Sequence, residues 1–408
     1  MAILFGRPDL LVLAAPFVVI VVWSLAVRPH EAPTVEVTLG STTLREGEAT
    51  SWTATVTAPG ADAAIAVVAP SRTRQLEPAS GLAVTDVAPG GTPASLAMVV
   101  RSTHWGRSQV GPSLFAAHSA WGAFRSGPAP AGSINLTTLP LPAVFDTSAP
   151  APHPQGLVGL HRSTVRGDGS EFATIRPFQL GDRLRRVHWP VSLRTGTIHV
   201  ATTHTDRDTE VVIVLDAGND VGESGGVDGA ASSLDLAVRA AGAIAEHFLR
   251  RGDRVGLRTF ATMRTVRLNS ATGASHLRRL LTDLAAIEVG TAGHRRTDPP
   301  PLRLHGGCLV VMLSPMLSPA ALQQAVTLVR QQHTVLVVDT LPDRVAGAAG
   351  EDPVAALAWR IRLLERQQEI RRVQEHGVPV VPWRGPGSID QVLRDLGRRA
   401  GAPKLMRR

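Results

Sequence analysis

Two short stretches hold residue types that could do chemistry. In LDAGNDVG (215–222), an apolar run ends on Asp216, and Asn219 and Asp220 follow within one turn. Carboxylate and amide oxygens at that spacing suit a hard divalent cation such as magnesium. The plainer reading is that Asp216 closes a strand and orders the glycine-containing turn after it. In FQLGDRLRRVHWPVSLRTGTIHV (178–200), Gly181, Asp182, Arg186, His188, Trp189 and Arg194 crowd together. A carboxylate accepts a forked pair of hydrogen bonds from a guanidinium, and an indole can stack on the guanidinium face. Glu171 and Asp182 as acceptors, with Arg176, Arg186 and Arg194 as donors, would make a clasp that Trp189 keeps dry. A solvated arginine-rich loop is the bland alternative.

Other chemistries fit less well. Arg183, Arg185, Arg186, His188 and Trp189 combine charge with an aromatic, as nucleic-acid contacts require. Yet Asp182 interrupts the patch, and the chain is 4% aromatic with no tyrosine. Nucleic-acid binding through Arg183–Trp189 is the alternative function, and no nucleic acid is expected as the main partner. His188, Asp182 and Ser192 have the residue types of a nucleophilic triad. However, no G-x-S-x-G elbow, P-loop, zinc spacing or dinucleotide fingerprint is present, and no small-molecule substrate is evident. The expectation is therefore a protein that is not an enzyme.

The elements that must position these residues follow a clear rhythm from Glu210 onward. VVIVLD (211–216), RVGLRTF (254–260), CLVVMLS (308–314), TVLVVDT (334–340) and VPVVPW (378–383) read as buried strands. Helical patterns fall between them at about 233–251, 276–287, 319–332, 355–376 and 388–399. In the first, Leu234, Val238, Ala241, Ile244, Ala245 and Phe248 recur at helical spacing. In the fourth, Leu357, Ile361, Leu364 and Val373 would face the sheet, leaving Arg360, Arg362, Arg366, Arg371 and Arg372 outside. Strands alternating with helices predict a mainly parallel sheet covered on both faces. Ligands of such sheets sit beyond the strand carboxyl ends, where Asp216 and Ser314 would lie.

Before that half, short alternating runs between residues 31 and 139 predict a small β-sandwich. Five prolines between 140 and 154 predict an extended connection. Leu10–Val27 carries no charge, and about 18–20 apolar residues can cross a bilayer as a helix. A transmembrane anchor over 1–30 is therefore expected, with the body on the cytoplasmic side of the cell membrane. The formal charge of +8 suits acidic partners without choosing among them. A lone cysteine, Cys308, excludes an intramolecular disulfide.

The combined signature GDGSEFATIRPFQLGDRLRRVHWPVSLRTGTIHV, then VVIVLDA and RGDRVGLRTF, resembles the domain of unknown function 58 family. The matching positions are Gly169, Glu171, Arg176, Pro177, Gly181, Asp182, Arg186, His188, Trp189, Arg194 and Asp216. The resemblance implies a von Willebrand factor A-like α/β domain over 210–408, with 140–209 as linker and signature segment. It also implies a protein partner, a MoxR-type AAA+ ATPase, in assembly or maturation of an envelope complex. Von Willebrand A-type metal sites use Asp-x-Ser-x-Ser; here Gly218 and Asp220 replace the serines. The magnesium site at Asp216 and Asp220 is thus expected to be degenerate, and no other cofactor is implied. Thr291 is the candidate for a threonine ligand.

Overall fold

The computed structural model describes residues 9–26, 34–57, 64–68, 76–78, 83–87, 93–118, 125–143, 145, 162–179, 184, 187–206, 210–262, 265–289, 302, 304, 308–343, 345, 353–385 and 387–401. They form two compact units, Met1–Pro140 with Gly226–Asp228, and the remainder from Leu141 onward.

The first unit begins with helix α1, Asp9–Ala26. Its apolar side chains, from Leu11 to Leu25, stand mostly exposed. It does not meet the expectation of a spanning anchor: among the described residues, no helix is long and apolar enough to cross a membrane. Asp9 also places a carboxylate in the first turn. Small, mostly antiparallel sheets follow. One has four strands centred on Ala49–Thr57 and Ala94–Ser102. The first of these alternates along its length, burying Thr50, Trp52, Ala54 and Val56 on one face.

The second unit holds a six-stranded α/β sheet. Its spatial order is 267–271, 254–260, 210–216, 309–314, 334–339 and 380–382. All neighbours are parallel except the 267–271 edge. The two central strands are buried almost end to end because both faces are covered. Before the sheet, a long hairpin pairs Arg162–Pro177 with His199–Asp206, and the short helix α2, Trp189–Thr195, lies between its arms. Helix α3, Ser233–Arg250, packs on the central strands and touches α4, Ala274–Leu284. The predicted apolar stripe of α3, from Leu234 to Phe248, is buried as expected.

On the other face, Val212, Val214, Val310 and Met312 pack against Ala321, Ala325 and Leu328 of α5, Pro319–Arg330. Val373 of α6, Pro353–Glu375, joins the same core. Helix α7, Asp390–Gly401, is the last described element, with Leu393 buried. Cys308 is buried beside His333, its sulfur 3.3 Å from Nδ1. Burial pushes the thiol up to about 12 and the imidazole down, so both are neutral at physiological pH.

The phase of α6 differs from the sequence reading. Val373 is buried, but Leu357, Ile361 and Leu364 are 57%, 50% and 67% exposed. Arg362 and Arg366 turn inward instead, their side chains only 29% and 13% exposed. The first part of the helix passes over loops that offer carbonyl oxygens and a carboxylate, and arginine satisfies these where leucine could not.

Candidate functional site

Asp216 ends the central strand and Ser314 ends its neighbour. The chain runs outward from these two strands in opposite directions, so they flank the topological switch point where α/β sheets bind ligands. Here that crevice is bridged by the protein itself. Ser314 Oγ donates to Asp216 Oδ2 at 2.7 Å, and the Gly218 amide donates to Asp216 Oδ1 at 3.0 Å. The Met316 amide in turn donates to Ser314 Oγ at 2.9 Å. Burial pushes the Asp216 carboxyl above the usual carboxylate range, against the pull of these hydrogen bonds.

Asp220 serves helix α3. Its Oδ1 accepts from the Leu234 amide at 3.0 Å and from Ser233 Oγ at 3.3 Å. Ser232 and Asp235 complete a reciprocal capping box beside it. Asp220 thus holds the positive end of the helix.

A magnesium ion does not fit this arrangement. Both oxygens of Asp216 already have protein partners, Oδ1 of Asp220 is committed to the cap, and Gly218 has no hydroxyl. A side chain at 218 would also lack room: a Cβ there would lie 2.8 Å from Ala261 Cβ. Among the described residues, no group of three metal-type side chains is present; Thr291 lies outside them. Gly218→Ser, which restores one hydroxyl of the Asp-x-Ser-x-Ser pattern, is expected to lower stability by about 1–3 kcal/mol through overpacking. Thermal melts with and without millimolar magnesium check this, and the variant's midpoint should be blind to the metal.

Arginines from α6 roof the same strand ends. Arg366 Nε donates to Pro315 O at 2.7 Å, and its Nη2 pairs with Asp339 Oδ2. Arg362 donates to Leu317 O and pairs with Glu365 at 2.8 Å. Sequence reasoning placed both arginines in solvent. The available signal was their spacing of four, which puts them on one face together with Trp359, Leu363 and Ile370.

The signature segment is divided by what is described. Gly181, Asp182 and Arg186 lie outside the described residues, and so does the side chain of Glu171. Arg176 Nη1 donates to Pro177 O at 3.0 Å, and Arg194 is exposed. Trp189 is 63% exposed, which overturns the expectation of an indole that keeps the clasp dry. What fixes α2 is Ser192, which sequence reasoning noticed only as a triad-type residue. Its Oγ donates to His188 O at 2.9 Å and accepts from the His199 amide at 2.9 Å. The His188 amide donates to His199 O at 2.8 Å, and its imidazole caps the helix by accepting from the Val191 amide. A seven-residue helix has one narrow side to bury, and Ser192 takes it. Trp189 and Leu193, one turn apart, share a face turned to solvent, Leu193 being 80% exposed.

A separate concavity of about 390 Å³ lies at the C-terminal half of α3, lined by Pro142, Phe145, Glu246, His247 and Arg250 among others. One of its lining residues, Phe145, stacks on Trp383 just beyond the carboxyl end of the 380–382 strand, with ring centroids 5.7 Å apart.

The protein is an α/β protein whose switch-point crevice is sealed by hydrogen bonds and overlaid by arginine. Residues 174–350 match the family described as "Protein of unknown function DUF58". The chain is 30% identical over 197 residues to the uncharacterized proteins Mb1516 of Mycobacterium bovis and Rv1480 of Mycobacterium tuberculosis. The match covers 46% of this chain and 60% of theirs, so the chain spans only part of the length of these relatives. Among solved structures, native Escherichia coli alpha-2-macroglobulin is similar at 21% identity, covering 35% of this chain and 9% of that one. Its TM-score of 0.19 carries no argument.

Proposed function

We propose that the protein is a non-enzymatic docking scaffold at the cell membrane, built on a von Willebrand A-like α/β domain. The partner is a MoxR-type AAA+ ATPase, as the family resemblance suggests, acting in assembly or maturation of an envelope complex. The observation that carries the docking reading is the α2 platform. Trp189 and Leu193 project from a backbone tied down by Ser192 and His188, so presenting them costs little conformational entropy. Exposed aromatic residues on a rigid support are the usual anchors of protein interfaces. Between residues 183 and 205 the sequence has four arginines and no carboxylate. That charge suits a partner face carrying Asp and Glu around an apolar pocket. The apolar side chains that helix α1 exposes, from Leu11 to Leu25, support association with the membrane, and the body is placed on the cytoplasmic side.

The test is a crosslinked pull-down from native membranes, comparing the wild type with Trp189→Ala/Leu193→Ala. The AAA+ ATPase should be enriched by the wild type and fall at least tenfold with the double variant. Equal recovery by both proteins would remove α2 as the docking face. Recovery of nucleic acid in place of an ATPase would overturn the adaptor reading.

A further inference from the structure

Helix α6 has an unusual cross-section. Its inward face carries Trp359, Arg362, Leu363, Arg366, Ile370 and Val373, and its outward face carries Val354, Leu357, Ile361 and Leu364. The outward residues are separated by three, four and three positions, the a/d spacing of two heptads. The seam stops at Gln368 and Arg371, the next positions in the series. It exists only along the part of the helix that is held to the strand-end loops by Arg362 and Arg366. Apolar residues on such a face are normally covered.

We propose that this face pairs in parallel with the same face of a second copy of the chain. The flanking charges select that occupant. With Val354 and Ile361 at a, and Leu357 and Leu364 at d, Arg360 occupies g and Glu365 occupies the following e. In a parallel pair, g of one helix meets the following e of its partner, so Arg360 lies against Glu365 in both directions. Antiparallel pairing sets g against g and e against e, and loses this match. Arg360 is exposed and has no ion-pair partner among the described residues. Glu365 is 58% exposed, so it can meet Arg360 while it holds Arg362. Two heptads make a small interface, well below the roughly 800 Å² per partner of a standard complex, so the pair is a reversible one. The pairing is independent of the docking reading and uses a different surface.

Disulfide crosslinking of the full chain tests it, because Cys308 is buried and its thiol stays protonated. Leu357→Cys and Leu364→Cys place one reactive thiol each at a d position, where parallel partners face one another. Diamide takes two electrons and two protons from a thiol pair and leaves the disulfide. Each variant should form a homodimer at least tenfold faster than a Gln323→Cys control on the exposed side of α5. Adding Arg360→Glu should slow the reaction several-fold, and adding Glu365→Arg as well should restore it. Melting temperatures of the cysteine and Arg360→Glu variants should stay at the wild-type value, since these side chains are exposed and unpaired with the fold. Crosslinking no faster than the control, or efficient only in a mixture of the two cysteine variants, would overturn the proposal. So would a rate indifferent to the charge reversals.

Discussion

Arg366→Ala is expected to destabilise the protein by about 3–5 kcal/mol, although Arg366 lies on a helix whose neighbouring turns are largely exposed. The guanidinium reaches Pro315 O and Asp339 Oδ2 together, and both ends of the pair are largely withdrawn from solvent. Asp339 Oδ1 also accepts from the Leu341 amide at 3.0 Å, so the carboxylate cannot swing away to water without losing that bond. Truncation leaves a half-buried negative charge with no counter-ion. Arg366→Lys should recover only part of the loss, because an ammonium on a single stem cannot span both acceptors in the same geometry. Arg366→Ala combined with Asp339→Asn should lose less than the sum of the two single changes. The denaturation midpoints of the four proteins decide the matter. An unchanged midpoint for Arg366→Ala would mean that the roof over the strand ends carries no stability.

The second large effect concerns Asp216, where two substitutions should move stability in opposite directions. Asp216→Ala orphans the buried Gly218 amide and the Ser314 hydroxyl, and each unsatisfied group costs about 1–3 kcal/mol. Loss of the buried carboxylate offsets part of that. Asp216→Asn keeps an acceptor for the amide and has no charge to desolvate, a gain that offsets the cost of turning the Ser314 O–H, which now faces an NH2, to another acceptor. The expected order at neutral pH is Asn at or above wild type, and Ala below both. The pH dependence follows from the direction of the shift. The Asp216 carboxyl titrates higher when folded than its unfolded value of 3.8, because it is buried. Below 3.8 the group is protonated in both states and contributes nothing. As pH rises from there through the raised folded value, the unfolded state gives up its proton more readily, and stability falls. Asp216→Asn lacks this slope. The advantage of Asn over wild type should therefore grow across that window and then level off. Chemical denaturation at several pH values measures it, and parallel curves for the two proteins would contradict the burial argument.

Much of the second unit was legible in the sequence because its strands are buried on both faces. Runs such as VVIVLD and LVVMLS admit few other roles, and the stripe of α3 fixed which side of that helix faced the core. The sequence did not reveal that Ser314 would donate directly to Asp216, because that contact joins residues brought together only by strand order. Helix α6 was misread for a physical reason. Apolar periodicity reports which residues avoid water, not which surface covers them, and at the strand ends the acceptors demanded arginine. The Arg162–Asp206 hairpin and α2 escaped notice because short polar segments have little hydrophobic period.

Cys308 gives the folded chain an indifference to its redox surroundings. With its one thiol withdrawn from water and kept protonated, the molecule has no bridge to form in an oxidising space and none to lose in a reducing one. A scaffold of this kind could be synthesised in one chemical climate and work in another without help from oxidoreductases.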